Sequence, residues 1–162
     1  MKKKNLALIS ILLVLSIFAG CGGGTSSVKD DVAVSDISAA VLAAIGDNAL
    51  VSVPDTYLAG AMKMDATIFE AYDVKINSMG ANIDEYGIFK AKDASQIGTV
   101  EQAVKDYIQM RKDTWMVEYM PEERPKLDSA EIKTLGNYVM YAILSDEGKT
   151  AAFKAFEKSL KA

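Results

Sequence analysis

Residues 71–92 read AYDVKINSMGANIDEYGIFKAK, and this pattern predicts a β-hairpin. From Ala71 to Ser78, apolar residues alternate with polar ones, as expected for a strand with one buried face. Residues 79–82 have the composition of a turn, and the run from Glu85 to Lys92 places apolar side chains on both of its faces. Two such runs around a short turn predict a pair of antiparallel strands.

A long helix is expected after the hairpin. Apolar residues recur at helical spacing from Ile97 to Trp115, and the segment starting at Asp93 has the Asp-x-x-Gln spacing of a capping box. These features predict a helix from residue 94 to about Tyr119. Pro121 cannot continue a helix, so residues 121–125 are expected to form an exposed loop.

Two further strands and a last helix are expected downstream. Residues 130–134 alternate as a third strand, and Gly136 and Asn137 have the composition of a turn. The run from Tyr138 to Leu144 is almost continuously apolar, which is typical of a central strand covered on both faces. Asp146 is the expected cap of the final helix.

Upstream of the hairpin, residues 34–45 show the helical spacing of an amphipathic helix that ends at Gly46. A second, weaker helix is expected from Asp55 to Met64, with Met62 and Met64 in the core. The predicted fold is α+β: an N-terminal helix, then ββαββα, with a four-stranded, largely antiparallel sheet packed by helices.

The first twenty residues have the layout of a secretory signal peptide. Lysines at positions 2–4 precede an apolar run from Leu6 to Ala19, which is shorter than the roughly 20 residues that span a membrane as a helix. The run ends in Phe18-Ala19-Gly20-Cys21, where small residues precede the only cysteine of the chain. Cleavage is therefore expected between Gly20 and Cys21.

This segment resembles the lipobox of bacterial lipoproteins, in which the cysteine thiol receives a diacylglyceryl group and becomes the new N-terminus. The resemblance implies that Cys21 is the lipid attachment site, since two acyl chains hold a protein durably on a membrane. The alternatives are an ordinary signal peptide cut near Gly20 and an uncleaved anchor. We expect a signal peptide at residues 1–20, a Gly/Ser-rich tether at 21–31 and a single domain at 32–162.

Composition excludes several functional classes. The chain has 162 residues and no histidine, which excludes Ser-His and Cys-His catalysis and histidine-bound zinc, and its single cysteine cannot form an intramolecular disulfide. Residues 1–20 carry three of the 18 basic residues and no acidic one, so the mature chain has 15 basic and 22 acidic residues, a net charge of −7. This charge argues against nucleic acid as a partner.

Several short motifs together carry a second resemblance. They are residues 82–90 (NIDEYGIFK), Arg111 in the long helix, residues 119–122 (YMPE) and residues 136–139 (GNYV), in this order and spacing. The chain resembles a family of small uncharacterised lipoproteins of Gram-positive bacteria that contain one domain of unknown function. The resemblance covers roughly residues 50–146 and implies no catalytic or ligand-binding residues.

Arg111, Trp115 and Tyr119 form a candidate ligand surface. Arg111 falls on the apolar stripe of the long helix, where a charge is costly unless it is paired. Either its guanidinium pairs with an acid such as Glu85 or Glu118, or it binds a carboxylate or phosphate in a cleft. The aromatic residues belong either to the core and its rim or to a groove for a peptide or glycan.

We expect a lipid-anchored, non-enzymatic binding or interaction module on the extracytoplasmic face of the cell membrane, with an envelope protein, peptide or glycan as partner and no cofactor or metal. The first alternative is an accessory subunit of an envelope complex or transporter, which would expose an apolar patch. The second is a carboxylate-based hydrolase, which requires two acids about 5–10 Å apart in a pocket. The adjacent acids Asp84 and Glu85 would point to opposite faces of a strand.

Overall fold

The structure is a computed structural model that describes residues 27–47, 49–80, 82–116 and 118–162. The predicted signal peptide, its cleavage site at Gly20 and Cys21, and the tether up to residue 26 lie outside these residues. The elements along the chain are α1 (Val34–Ile45), β1 (Leu50–Ser52), α2 (Asp55–Tyr57), β2 (Phe69–Asn77), β3 (Glu85–Ala91), α3 (Ile97–Asp113), α4 (Arg124–Asp128), β4 (Glu131–Leu135), β5 (Tyr138–Ile143) and α5 (Asp146–Leu160).

The α+β prediction is confirmed, but the sheet has five strands rather than the predicted four. Its strand order is β1-β2-β3-β5-β4, and every neighbouring pair is antiparallel. The fifth strand is β1, which pairs with the last three residues of β2. Sequence periodicity did not reveal β1 because it is only three residues long and buries Leu50 alone.

Helices cover both faces of the sheet. Alternate residues of β3 and β5 face α3 on one side, whereas the intervening residues face α1 and α5 on the other. The residues of β5 are all buried, which confirms that it is a central strand covered on both faces. Met62 and Met64 are buried on the α3 side, as predicted for core residues.

Several predicted helix boundaries are wrong. The second helix is a single turn, α2, followed by a π-helical turn at Leu58–Met62. The long helix is α3 preceded by a 3-10 turn at Ala94–Gln96, and it ends at Asp113 rather than near Tyr119. At Thr114 the amide still donates to the Met110 carbonyl, at 3.0 Å, and the hydroxyl donates to the same oxygen at 2.8 Å, but the backbone leaves helical geometry at this residue.

The caps and the proline-rich segment also differ from prediction. Asp93 accepts a hydrogen bond from the amide of Ser95 at 2.8 Å, so it caps the 3-10 turn rather than closing a capping box. Ser145, not Asp146, is the N-cap of α5. The predicted loop at residues 121–125 instead forms a 3-10 turn, Pro121–Glu123, that leads into α4. Proline lacks an amide proton, but amides in the first turn of a helix have no partner within the helix, so proline is well tolerated there.

Different segments of the chain lie at the two ends of the sheet. At one end, called the Val28 end, Val28 pairs with Lys161, and the side chain of Asn137 in the β4–β5 turn donates to Asp30. The opposite end, called the Glu85 end, contains the start of β3, the end of β5 and the C-terminus of α3. Strand β3 runs between the two, over about 20 Å at a rise of about 3.4 Å per residue.

Candidate functional site

A buried carboxylate lies at the centre of the Glu85 end. Glu85 is the first residue of β3, its side chain faces α3, and only 2% of it is exposed. Its carboxylate accepts hydrogen bonds from the hydroxyl of Tyr107, at 2.6 Å, from the hydroxyl of Tyr141 and from Nη1 of Arg111. Three donors compensate for much of the cost of burying this charge.

The donors come from two elements that the fold brings together. Tyr107 and Arg111 are four residues apart on α3 and therefore lie on the same face of the helix. Tyr141 lies on β5, directly opposite Gly87 of β3. A Cβ atom at Gly87 would overlap the ring of Tyr141, so the glycine provides the space that lets this ring lie over β3 with its hydroxyl on Glu85.

Arg111 has one edge engaged and one edge open. Its Nη1 donates to Glu85 and, at 2.7 Å, to the hydroxyl of Tyr107. Within the described part of the chain, Nε and Nη2 form no hydrogen bond, and 23% of the side chain is exposed. The predicted pairing with an acid is therefore present, the partner is Glu85 rather than Glu118, and a second set of donors is left over.

Burial and the ion pair fix the protonation states in this cluster. Burial lowers the pKa of Arg111, but the negative charge of Glu85 and the hydrogen bonds to Glu85 and Tyr107 outweigh it and raise that pKa. Burial, followed by the charge of Glu85, raises the pKa of Tyr107 and of Tyr57. At neutral pH the guanidinium is therefore charged and both phenols are neutral.

A cleft of about 210 Å³ opens beside this cluster. Its walls come from α2 and the π-helical turn, from the end of β2, from the segment that enters β3 and from α3; the lining residues are Tyr57, Ala61, Ile76, Asn77, Asn82, Ile83, Asp84, Glu85, Tyr107 and Arg111. Two of the motifs noted in the sequence, residues 82–90 and Arg111, thus meet at one site. They are far apart in the chain, and the antiparallel packing of α3 on β3 brings them together.

Asp84 adds a second carboxylate to the cleft. Lys126 of α4 donates to Asp84 Oδ1 and to Glu123 Oε2, at 2.8 Å each, and Glu123 also accepts from the Ile83 amide at 3.1 Å. Burial raises the pKa of Glu123, but the hydrogen bonds from Lys126 and the Ile83 amide, together with the charge of Lys126, outweigh it and lower that pKa. The other oxygen of Asp84, Oδ2, accepts no hydrogen bond from the residues that the structure describes.

Of the three residues of the predicted ligand surface, only Arg111 lines the cleft. Trp115 packs at the edge of the core on the α3 side, and its buried indole Nε1 has no hydrogen-bond partner among the described residues. Tyr119 is 54% exposed in the segment after α3. The early end of α3 separates these residues, because it removes Trp115 and Tyr119 from the helical face that Arg111 occupies.

Sequence reasoning did not identify Tyr57, Asn82 and Tyr107 as cleft residues. Tyr107 had a usable signal, since it precedes Arg111 by one helical turn and a tyrosine at this spacing can bond a guanidinium. Asn82 begins the motif at residues 82–90, but the motif did not indicate a position in a cleft. Tyr57 had no signal, because it lies in a short helical turn whose placement depends on the rest of the fold.

Within the described residues there is no group of three or more histidine, cysteine, aspartate or glutamate side chains arranged to hold a metal ion. In the same part of the chain, no helix combines the length and the apolar character needed to cross a membrane.

The sequence matches the family described as "Domain of unknown function (DUF4358)" over residues 43–144. This range contains β1 to β5, α3 and every residue that lines the cleft, whereas nearly all of α1 and the whole of α5 lie outside it. No curated protein matches the chain, and neither does any solved structure.

Proposed function

The chain belongs to the family of the domain of unknown function DUF4358. We propose that it is a lipid-anchored binding module of the cell envelope whose ligand occupies the cleft beside Arg111. In this proposal Cys21 carries the lipid, the domain lies on the extracytoplasmic face of the membrane, and the protein has no catalytic activity of its own.

The observation that carries the proposal is the guanidinium of Arg111, which forms hydrogen bonds to the described residues through Nη1 alone. A buried ion pair adds little to stability compared with apolar residues of similar volume, so stability alone does not account for it. Here Glu85 and Tyr107 hold Nη1, while Nε and Nη2 lack partners among the described residues in a side chain that lines a cleft. A charged donor held rigidly by its neighbours is what a binding site for a polar ligand requires.

The same geometry favours binding over the carboxylate-based hydrolase. Glu85 already accepts three hydrogen bonds and is almost fully enclosed, which leaves its carboxylate poorly placed to contact a substrate.

The position of the chain start is compatible with the proposed anchor. The described chain starts at the Val28 end, and the cleft lies at the opposite Glu85 end. If Cys21 is lipidated, the tether holds the Val28 end near the bilayer and the cleft faces away from it. The acidic mature chain would be repelled by an anionic lipid surface, which further favours a domain that stands away from the membrane.

Substitution of the cysteine tests the anchor. We expect Cys21→Ala to abolish the lipid and release the protein from the membrane fraction, with an unchanged circular dichroism spectrum because Cys21 precedes the predicted domain. Mass spectrometry of the wild-type protein should show a diacylglyceryl group on Cys21 as the first residue. Full membrane retention of the variant, or a wild-type protein with an intact leader and a free thiol, would refute the anchor.

An accessory subunit is the second candidate, supported by three apolar side chains at the Glu85 end. Met79, Met116 and Tyr119 are 77%, 66% and 54% exposed, and they lie in the β2–β3 turn and in the segment after α3. A protein partner could cover them. Contact through this surface would tolerate Arg111→Lys, whereas binding in the cleft would not, so this variant distinguishes the two candidates.

A further inference from the structure

Building on the proposed function, we infer that the cleft receives the zwitterionic head group of an amino acid, with the carboxylate on the Nε/Nη2 edge of Arg111 and the ammonium group at Asp84. The ligand is either a free amino acid or a larger molecule that ends in one.

The open edge of Arg111 fits a carboxylate. A guanidinium presents two parallel N–H donors that match the two oxygens of a carboxylate, and such bidentate pairs are stronger than single neutral hydrogen bonds. A phosphate dianion would need more positive charge than this site offers, since Glu85 already neutralises Arg111 and a further carboxylate, Asp84, lines the same cleft.

The charges around the cleft disfavour a simple anion as well. Arg111 and Glu85 cancel each other, and Lys126 faces two carboxylates, those of Asp84 and Glu123. These five groups carry one net negative charge. A ligand that brings a positive charge together with its carboxylate adds no further negative charge to this cluster. Asp84 Oδ2, which accepts no hydrogen bond from the described residues, is the acceptor that its ammonium group would use.

The size of the cleft agrees with a small head group. Its volume of about 210 Å³ is below the range of about 300–1,000 Å³ that is typical of sites for drug-sized ligands. The hydroxyl of Tyr57 and the side chains of Asn77 and Asn82 supply further polar contacts, and Ala61 and Ile76 give an apolar patch for a short side chain. A bulky group would have to project out of the cleft.

The test uses the purified full-length protein in detergent with each of the twenty standard amino acids as probes. Thermal unfolding should show that at least one of them raises the melting temperature, and calorimetry should then give its dissociation constant. Its N-acetyl and its C-terminal amide derivatives, which each lack one charge, should bind at least about tenfold more weakly.

Two substitutions test the roles of the residues. Arg111→Lys keeps a positive charge beside Glu85 but removes the two-donor edge, and Asp84→Asn removes the partner of the ammonium group while Glu123 still holds Lys126. Each should weaken binding at least about tenfold. Glu70→Gln breaks an ion pair with Lys90 near the other end of β3 and should leave binding unchanged.

Stabilisation by none of the twenty amino acids would refute the inference. Equal affinity for the amino acid and its N-acetyl derivative would also refute it, while leaving the cleft as a carboxylate site. The lipid anchor is tested by a separate experiment, the membrane fractionation of Cys21→Ala, so the anchor proposal and the ligand inference can fail independently of each other.

Discussion

Glu85 shows how one buried carboxylate organises the Glu85 end of the protein. Its three donors come from a helix and a neighbouring strand, so the carboxylate joins α3 to the centre of the sheet. Because Arg111 is largely buried and Glu85 is its one ion-pair partner among the described residues, the guanidinium depends on Glu85 for its counter-charge. The same bonds fix the orientation of the guanidinium of Arg111, a residue that lines the cleft.

We therefore expect Glu85→Gln to lower the free energy of unfolding by about 3 kcal/mol, since it leaves the Arg111 charge without a partner. Urea denaturation at neutral pH measures this loss. The matched control is Glu70→Gln, which breaks an exposed ion pair and should cost less than about 1 kcal/mol. Equal losses in the two variants would show that the buried pair contributes no more than a surface pair.

The sequence could predict part of this arrangement. The position of Arg111 on an apolar stripe required an acidic partner, but Glu85 and Glu118 were both available. The choice depends on where α3 ends and how it packs on β3, and neither follows from the spacing of apolar residues. Gly87 gave no signal either, because the need for its missing side chain arises only when Tyr141 lies opposite.

The start of α5 shows the limit of prediction for a single element. Ser145 and Asp146 are both residue types that cap helices, so the sequence allows two starting points one residue apart. In the structure, Ser145 Oγ accepts from the Gly148 amide at 3.1 Å, and the exposed Asp146 instead forms an ion pair at 3.1 Å with Lys149, whose side chain is buried.

Ser145→Ala should therefore lower the free energy of unfolding by about 1 kcal/mol, because the first turn of α5 loses its side-chain cap. Asp146→Ala should cost clearly less, since the Asp146 side chain is exposed and the buried Lys149 keeps Glu131 and the Ser129 carbonyl as partners. Thermal denaturation of the two variants gives the comparison. A larger loss for Asp146→Ala would contradict the assignment of Ser145 as the cap.

For the remaining elements as well, prediction succeeded where an apolar pattern was long enough to be recognised. Strands β2, β3 and β5 were predictable because they are long enough to show alternation or a continuous apolar run. The short strand β1 was not, since three residues give no periodicity, and the helix expected from Asp55 to Met64 is present only as α2 and the π-helical turn after it. Their positions depend on contacts with β2: Leu50 pairs with Asn77, and Asp55 accepts from the Tyr72 hydroxyl at 2.8 Å.

At the scale of the whole molecule, Glu157 of α5 connects two parts of the Val28 end. Its carboxylate accepts from Lys133 of β4 and from Lys161, the residue that pairs with Val28. The hydrogen bond from Lys133, followed by that from Lys161, lowers the pKa of Glu157 from its ordinary value of 4.5 to about 2.

This shift sets the direction of a pH effect on stability. A carboxyl group with a lowered pKa in the folded state stabilises the fold above its unfolded pKa, and this contribution is lost as the pH falls through the folded value. The contribution of Glu157 should be complete above about pH 5 and lost toward about pH 2. Glu157→Gln should thus lower the free energy of unfolding at neutral pH and have little effect near pH 2.

Denaturant unfolding of the wild type and Glu157→Gln across this pH range measures the effect. The control is Glu122→Gln, at an exposed position in the turn before α4, which should leave the difference between neutral and acidic pH as in the wild type. Parallel stability curves for wild type and Glu157→Gln would show that Glu157 does not contribute to acid sensitivity.

The pairing of Val28 with Lys161 places Ser27 beside Ala162, whose amide donates to the Ser27 carbonyl at 3.0 Å. Any polypeptide that continues past Ala162, such as a fluorescent reporter, would therefore emerge next to the point where the tether enters the fold. A short linker could join these two residues in a circular permutant, with new termini opened in the β2–β3 turn around Met79. Such a permutant would move the membrane attachment to the side of the cleft and invert the orientation of the module on its bilayer.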